Sequence, residues 1–90
     1  MSYRTDEDWH PATAMDLSRN GCRLRLGESL ERGGALAVRI IHPGRGEAPA
    51  LTAEVEGRVV WSRLEGLSHQ VGIQFLADSA ELHEVLAAIG

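Results

Sequence analysis

The chain of 90 residues predicts an all-β fold, a small antiparallel barrel with one helix at its C-terminus. Three observations predict it. Apolar residues alternate with polar ones in several separate segments, the period-2 pattern of half-buried strands. Turn chemistry rich in Gly, Pro, Asn and Ser separates those segments. After Asp78 the period changes once, to the 3.6-residue spacing of an amphipathic helix. A chain of this length supports one domain and buries only a modest fraction of its surface.

The elements follow in order. Residues 1–8 are polar and acidic and are expected to form a flexible N-terminal segment, with the domain itself spanning 9–90. Residues 9–15 read as a short strand, with Pro11 near its start, where a missing N–H is tolerated best. Asp16-Leu17-Ser18-Arg19-Asn20-Gly21 is a polar turn. In residues 22–26, Cys22, Leu24 and Leu26 alternate with Arg23 and Arg25, one face dry and one wet. Residues 27–34 read as a loop. Leu36, Val38 and Ile40 then share one strand face, with Arg39 on the other, and His42-Pro43-Gly44-Arg45-Gly46 is turn chemistry.

The next strand is expected over 51–63, with Val55, Val59 and Trp61 on one face and a bulge or sharp bend at Gly57. Residues 64–68 read as a hairpin loop around Gly66, and 69–76 as the last strand with Val71, Ile73 and Phe75 inward. Leu82, Val85, Leu86 and Ile89 then fall on one helical stripe, and Asp78 with Glu81 forms a capping pair. A helix of about 11 residues is marginal alone and must pack on the sheet.

Net charge is −4, and all 9 basic residues are arginine. Binding to a nucleic-acid polymer draws on a basic surplus, because phosphate neutralisation supplies most of the affinity. The acidic balance argues against that partner class. Arginine still suits planar, forked contacts with a phosphate or a guanine edge. Cys22 is the single cysteine, so neither an intrachain disulfide nor a cysteine-based metal site is expected, in keeping with a cytoplasmic location. The first residues lack the basic-then-apolar pattern of a secretion signal. No apolar run approaches the ~20 residues of a membrane span, so no membrane insertion is expected.

Asp16, Ser18 and Gly21 sit at D-x-S-x-x-G spacing immediately before an alternating strand. Taken alone this is also ordinary turn chemistry, since Asp and Ser side chains bond nearby backbone. Read with Gly57-Arg58-Val59-Val60-Trp61 and Val71-Gly72-Ile73-Gln74-Phe75, the chain resembles the PilZ family of bacterial second-messenger receptors over residues 13–89. The resemblance implies a six-stranded antiparallel barrel with a C-terminal helix, no catalysis, no cofactor, and cyclic di-GMP as ligand. It maps ligand contacts onto Asp16, Ser18 and Gly21. The family's R-x-x-x-R motif is missing. Arg4 is the only arginine before Asp16, and Arg4-Thr5-Asp6-Glu7-Asp8 puts acid where a second arginine belongs. Because a strand lies between the two motifs in the family, the barrel is expected to lack its usual first strand. The edge so exposed would recruit another chain, predicting a homo-oligomer.

In such a site the Asp16 carboxylate accepts from a guanine's N1–H and N2–H₂, Ser18 adds a small donor and acceptor, and Gly21 takes positive φ and admits the ligand. Arg19 is expected to reach a phosphate in place of the missing motif. Arg23 and Arg25 either help or merely solvate an outer face. Trp61 either stacks on a guanine face, which is worth ~1–3 kcal/mol per base, or packs at the barrel rim. His10, His42, His69 and His83 form no i, i+4 pair or cluster with carboxylates, so no metal site is expected. Ser18 lacks the strand–elbow–helix context of a nucleophile, so no catalytic residues are assigned. Two functions remain: a cyclic di-GMP receptor or adaptor signalling to a protein partner not identified by the sequence, and a protein-interaction module of the same fold that has lost the nucleotide. A third reading makes the chain a fragment, or one half of a dimer that draws its arginines from another chain.

Overall fold

A computed structural model describes residues 1–44, 46, 47, 49–77 and 79–89. Among them lie seven strands and a helix: β1 Ser2–Arg4, β2 His10–Pro11, β3 Thr13–Leu17, β4 Gly21–Leu26, β5 Ala35–His42, β6 Leu51–Glu65, β7 Ser68–Phe75 and α1 Ala80–Ile89. The strands form one antiparallel sheet in the order β2-β1-β5-β6-β7-β4-β3. Its outermost members, β2 and β3, are separated in the chain by Ala12 alone. The sheet must therefore curl until its two ends meet, which gives the expected barrel-like architecture with a C-terminal helix.

Alternation decides which face is enclosed. Leu24 and Leu26 of β4, Val38 and Ile40 of β5, Val55 and Val59 of β6, and Val71, Ile73 and Phe75 of β7 are all buried. The helix completes the core with Leu82 and Val85, both fully buried against β5 and β6. Leu86 is half-buried and Ile89 lies exposed, so the apolar stripe is shorter by one turn than expected. Asp78, expected as the cap, lies outside the described residues. The Leu82 N–H donates to the Ser79 hydroxyl at 3.1 Å, which makes Ser79 the N-cap. The Glu81 carboxyl is held below its ordinary range by its own backbone N–H and then by the Ser79 hydroxyl, which donates to it at 3.0 Å.

The N-terminus differs from expectation. Residues 2–4 form a strand paired with β5 instead of a flexible lead. Tyr3 is 2% exposed, and its hydroxyl donates to Glu28 at 2.5 Å. Burial first, then the bond and charge of Glu28, push the Tyr3 phenol well above its ordinary range. Trp9 is in contact with two guanidinium groups, with Arg39 4.0 Å and Arg4 4.8 Å from its ring centroid. Arg39 is fixed in turn by two bonds to Glu54, at 2.6 and 3.0 Å. Arg4 thus anchors the N-terminal segment. The strand expected over 9–15 divides into β2 and β3.

Two further differences concern β6. The bulge expected at Gly57 lies between Val59 and Trp61, while Gly57 pairs regularly with Leu36 and Phe75. Gly57 faces the core, where an added Cβ would stand 2.6 Å from the Ile73 Cγ2 and 3.0 Å from the Gln74 carbonyl oxygen. The extra residue after Val59 carries Trp61 off the core face, and Trp61 is 37% exposed. The β6–β7 hairpin is also tighter than expected. Glu65 pairs with Ser68, leaving a two-residue turn in which Gly66 takes φ +65°, the left-handed conformation such turns assign to glycine.

Candidate functional site

Strand register assembles the site. On the outer face Asp16 of β3 pairs with Arg23 of β4, Arg23 with Gly72 of β7, and Gly72 with Trp61 of β6. The four residues form one row across four strands. Gly72 leaves its place in that row open, and the Trp61 indole fills it: a Cβ on Gly72 would overlap the indole's Nε1, Cε2 and Cδ1. Asp16, Ser18, Gly21, Arg23, Trp61 and Gly72 all line one open groove of about 340 Å³. The structure thus brings together Asp16, Ser18, Gly21 and Trp61, the residues expected to bind, and adds Arg23.

Their local chemistry differs from expectation in three ways. Asp16 lies in β3, ahead of the turn, and its Oδ2 is 2.7 Å from a terminal guanidinium nitrogen of Arg23. The carboxylate remains 69% exposed, so it is paired yet accessible. Ser18 is engaged in its own turn: its hydroxyl donates to the Gly21 carbonyl at 3.3 Å and accepts from the Asn20 N–H at 3.3 Å, while its N–H donates to the Gly21 carbonyl at 2.9 Å. Gly21 is not among the positive-φ glycines. Its lack of a side chain is instead required by β7, since an added Cβ would overlap the Ile73 carbonyl oxygen.

Arg19 stands apart. It lines a separate depression with Asn20, Phe75, Leu76 and Ala77, where the Phe75 N–H donates to the Asn20 carbonyl at 2.8 Å. It is not among the residues lining the Asp16 groove. Arg23, read in the sequence either as a phosphate contact or as a solvated outer residue, is the guanidinium lining this groove. Its Nε is buried without a hydrogen-bond partner among the described residues. Counting outward from the turn would have found it, because pairing Leu17 with Cys22 places Asp16 opposite Arg23. Arg63 stands near Trp61, its guanidinium 5.7 Å from the ring centroid, and bonds Gln70 at 3.2 Å.

Cys22 lies under the groove. Burial pushes its thiol up to about 12, so it stays protonated and a poor nucleophile near neutrality. Among the described residues no three His, Cys, Asp or Glu side chains gather as a metal site, and no helix is long and apolar enough to cross a membrane.

A curled antiparallel sheet, a C-terminal helix packed against it, and a polar groove on its outer face define a small ligand- or partner-binding domain. A model of the PilZ domain family matches residues 1–89, and the chain belongs to that family. PilZ domains generally bind and do not catalyse, and the family implies a cyclic di-GMP receptor or adaptor role. Neither the curated proteins nor the solved structures hold a match to the chain.

Proposed function

We propose that this chain is a cyclic di-GMP receptor and adaptor domain of a bacterial cytoplasm, and that the ligand occupies the groove between Asp16 and Trp61. The observation that carries this reading is the row Asp16–Arg23–Gly72–Trp61, which presents a carboxylate, a guanidinium and an indole along one groove. A guanine offers a donor edge to Asp16 and a flat face to Trp61, and the adjoining phosphate meets Arg23. Charge-assisted contacts to carboxylate and phosphate are about twice as strong as neutral ones. Arg23 takes the phosphate role that the sequence had assigned to Arg19.

A second reading, a PilZ-fold interaction module without nucleotide, is favoured by one observation. Asp16 and the Ser18 hydroxyl already have partners within the chain, so a ligand must compete with both. Titration calorimetry with cyclic di-GMP at two salt concentrations separates the readings. Weak binding is expected in the wild type, lost in Asp16→Ala, reduced and less salt-sensitive in Arg23→Ala, and unchanged in Arg19→Ala. No heat at any ligand concentration removes the receptor reading and leaves the interaction module.

A further inference from the structure

We propose that the outer half of β6 is a self-association edge, on which a second copy of this chain adds its own β6 about a two-fold axis. β5 pairs with β6 only from Leu51 to Arg58. Val59 is then capped by the 28–34 loop, its N–H donating to the Gly34 carbonyl at 3.0 Å and its carbonyl accepting from the Gly33 N–H at 2.8 Å. Beyond it, residues 61–65 pair with β7 on one side and with no strand among the described residues on the other. Such an edge is normally protected by charges, Pro or a covering loop. Here its only charges are Arg63 and Glu65, of opposite sign, beside Trp61, Leu64 at 66% exposure and, at the hairpin tip, the fully exposed Leu67.

The backbone fixes the register. In a two-residue hairpin the residues flanking the turn exchange hydrogen bonds, and the antiparallel ladder then alternates. Glu65, Arg63 and Trp61 thereby spend their amides on β7, and Ser62 and Leu64 turn N–H and C=O toward the open side. A two-fold can centre on Ser62 or Leu64 as a hydrogen-bonded pair, or on Arg63 between them as a non-hydrogen-bonded pair, and the last would set Arg63 against its own copy. Centring on Ser62 would drive Glu65 against the loop that caps Val59. Centring on Leu64 leaves that loop clear, sets Leu64 against Leu64 of the second copy, and sets Arg63 opposite Glu65 twice over.

This charge match identifies the occupant as a second copy. Arg63 and Glu65 stand two apart on one face and already pair within the strand at 3.3 Å. An antiparallel self-pairing about the residue between them makes each the cross-strand neighbour of the other, and the surface is complementary to itself. The edge at issue is the outer half of β6, not the edge of a missing first strand expected from the sequence.

Equilibrium sedimentation across micromolar concentrations tests the proposal, with thermal melts checking that each variant remains folded. The wild type is expected to reach the mass of two chains. Glu65→Arg sets arginine against arginine at both contacts and is expected to weaken association by about tenfold or more. The double swap Arg63→Glu with Glu65→Arg restores opposite charges and is expected to restore the dimer. Exchange of the Leu64 amide is expected to slow as protein concentration rises. A wild type that stays at one chain's mass overturns the proposal. So does a dimer indifferent to Glu65→Arg, a double swap that does not rescue, or a Leu64 amide whose exchange ignores concentration.

Discussion

Replacing Gly72 with alanine tests whether the Trp61 indole rests across the sheet, because the two outcomes differ in sign. An added Cβ would overlap three indole atoms, so the ring must move. Trp61 is 37% exposed, and a Trp side chain encloses up to ~250 Å², so roughly 150 Å² of ring contact is at stake. At ~25 cal/mol per Å² that is an upper limit of ~4 kcal/mol. A ring that only tilts away from residue 72 loses about half of it, ~2 kcal/mol. Against this, exchanging glycine for alanine within a strand stabilises by about 0.5–1 kcal/mol through the unfolded chain. The net loss is ~1–1.5 kcal/mol, a fall in Tm of about 5–10 °C for a domain of this size. In a Trp61→Ala background there is no ring to displace, and the same change should be neutral or stabilising. Thermal melts of the four proteins form a double-mutant cycle whose coupling term isolates the contact. A Gly72→Ala single variant that melts higher than wild type, or one that loses as much with Trp61 absent as with it present, would refute the placement of the indole and with it the groove.

Two further predictions test the N-terminal strand and the buried thiol. Tyr3→Phe keeps the ring and loses the bond to Glu28, costing about 1–3 kcal/mol in urea unfolding, whereas Tyr3→Ala empties a core position and costs about 3–5 kcal/mol; an unaltered Tyr3→Ala midpoint would show the first residues to be dispensable. For Cys22, the folded pKa is raised from 9.0 to about 12, so between those values the unfolded chain binds fewer protons than the native one and stability falls as pH rises. The loss approaches ~4 kcal/mol at most. Cys22→Ala should flatten the alkaline fall in the urea midpoint between about pH 9 and 12, the Tyr3 contribution being common to both proteins, and equal slopes would contradict the burial of this thiol.

The enclosed face of the sheet was legible in the sequence because each strand states its own alternation. Cys22, Leu24 and Leu26, or Val71, Ile73 and Phe75, identify a buried side without reference to any other strand, and all six are buried. The N-terminal strand was not legible for the converse reason. It is three residues long, and its one buried residue, Tyr3, is held by Glu28, 25 positions away. Nothing local distinguishes it from a polar lead. Trp9 likewise takes its place from a residue distant in sequence, Arg39 of β5, whose guanidinium lies 4.0 Å from its ring centroid.

The outer face obeys a stricter condition. Its chemistry depends on which residues of neighbouring strands stand side by side, and a slip of one residue sends a side chain to the opposite face. Gly57 was the better local candidate for a bulge, but the core claims it because no side chain fits beside Ile73 and Gln74. The slip falls at Val60 instead, and by falling there it turns Trp61 from the barrel interior to the row that holds Asp16 and Arg23. The same register separates Arg19 from the groove and brings Arg23 into it, although Arg19 lies inside the motif and Arg23 beyond it. The motif residues Asp16, Ser18 and Gly21 line one groove. What the motif spacing could not convey is that Ser18 and Gly21 already have structural reasons to be there, one closing the turn and the other admitting the Ile73 carbonyl. Of the three, Asp16 alone presents a mostly exposed charge to the groove. The distinction between receptor and interaction module therefore rests on Asp16 and its competition between Arg23 and a ligand.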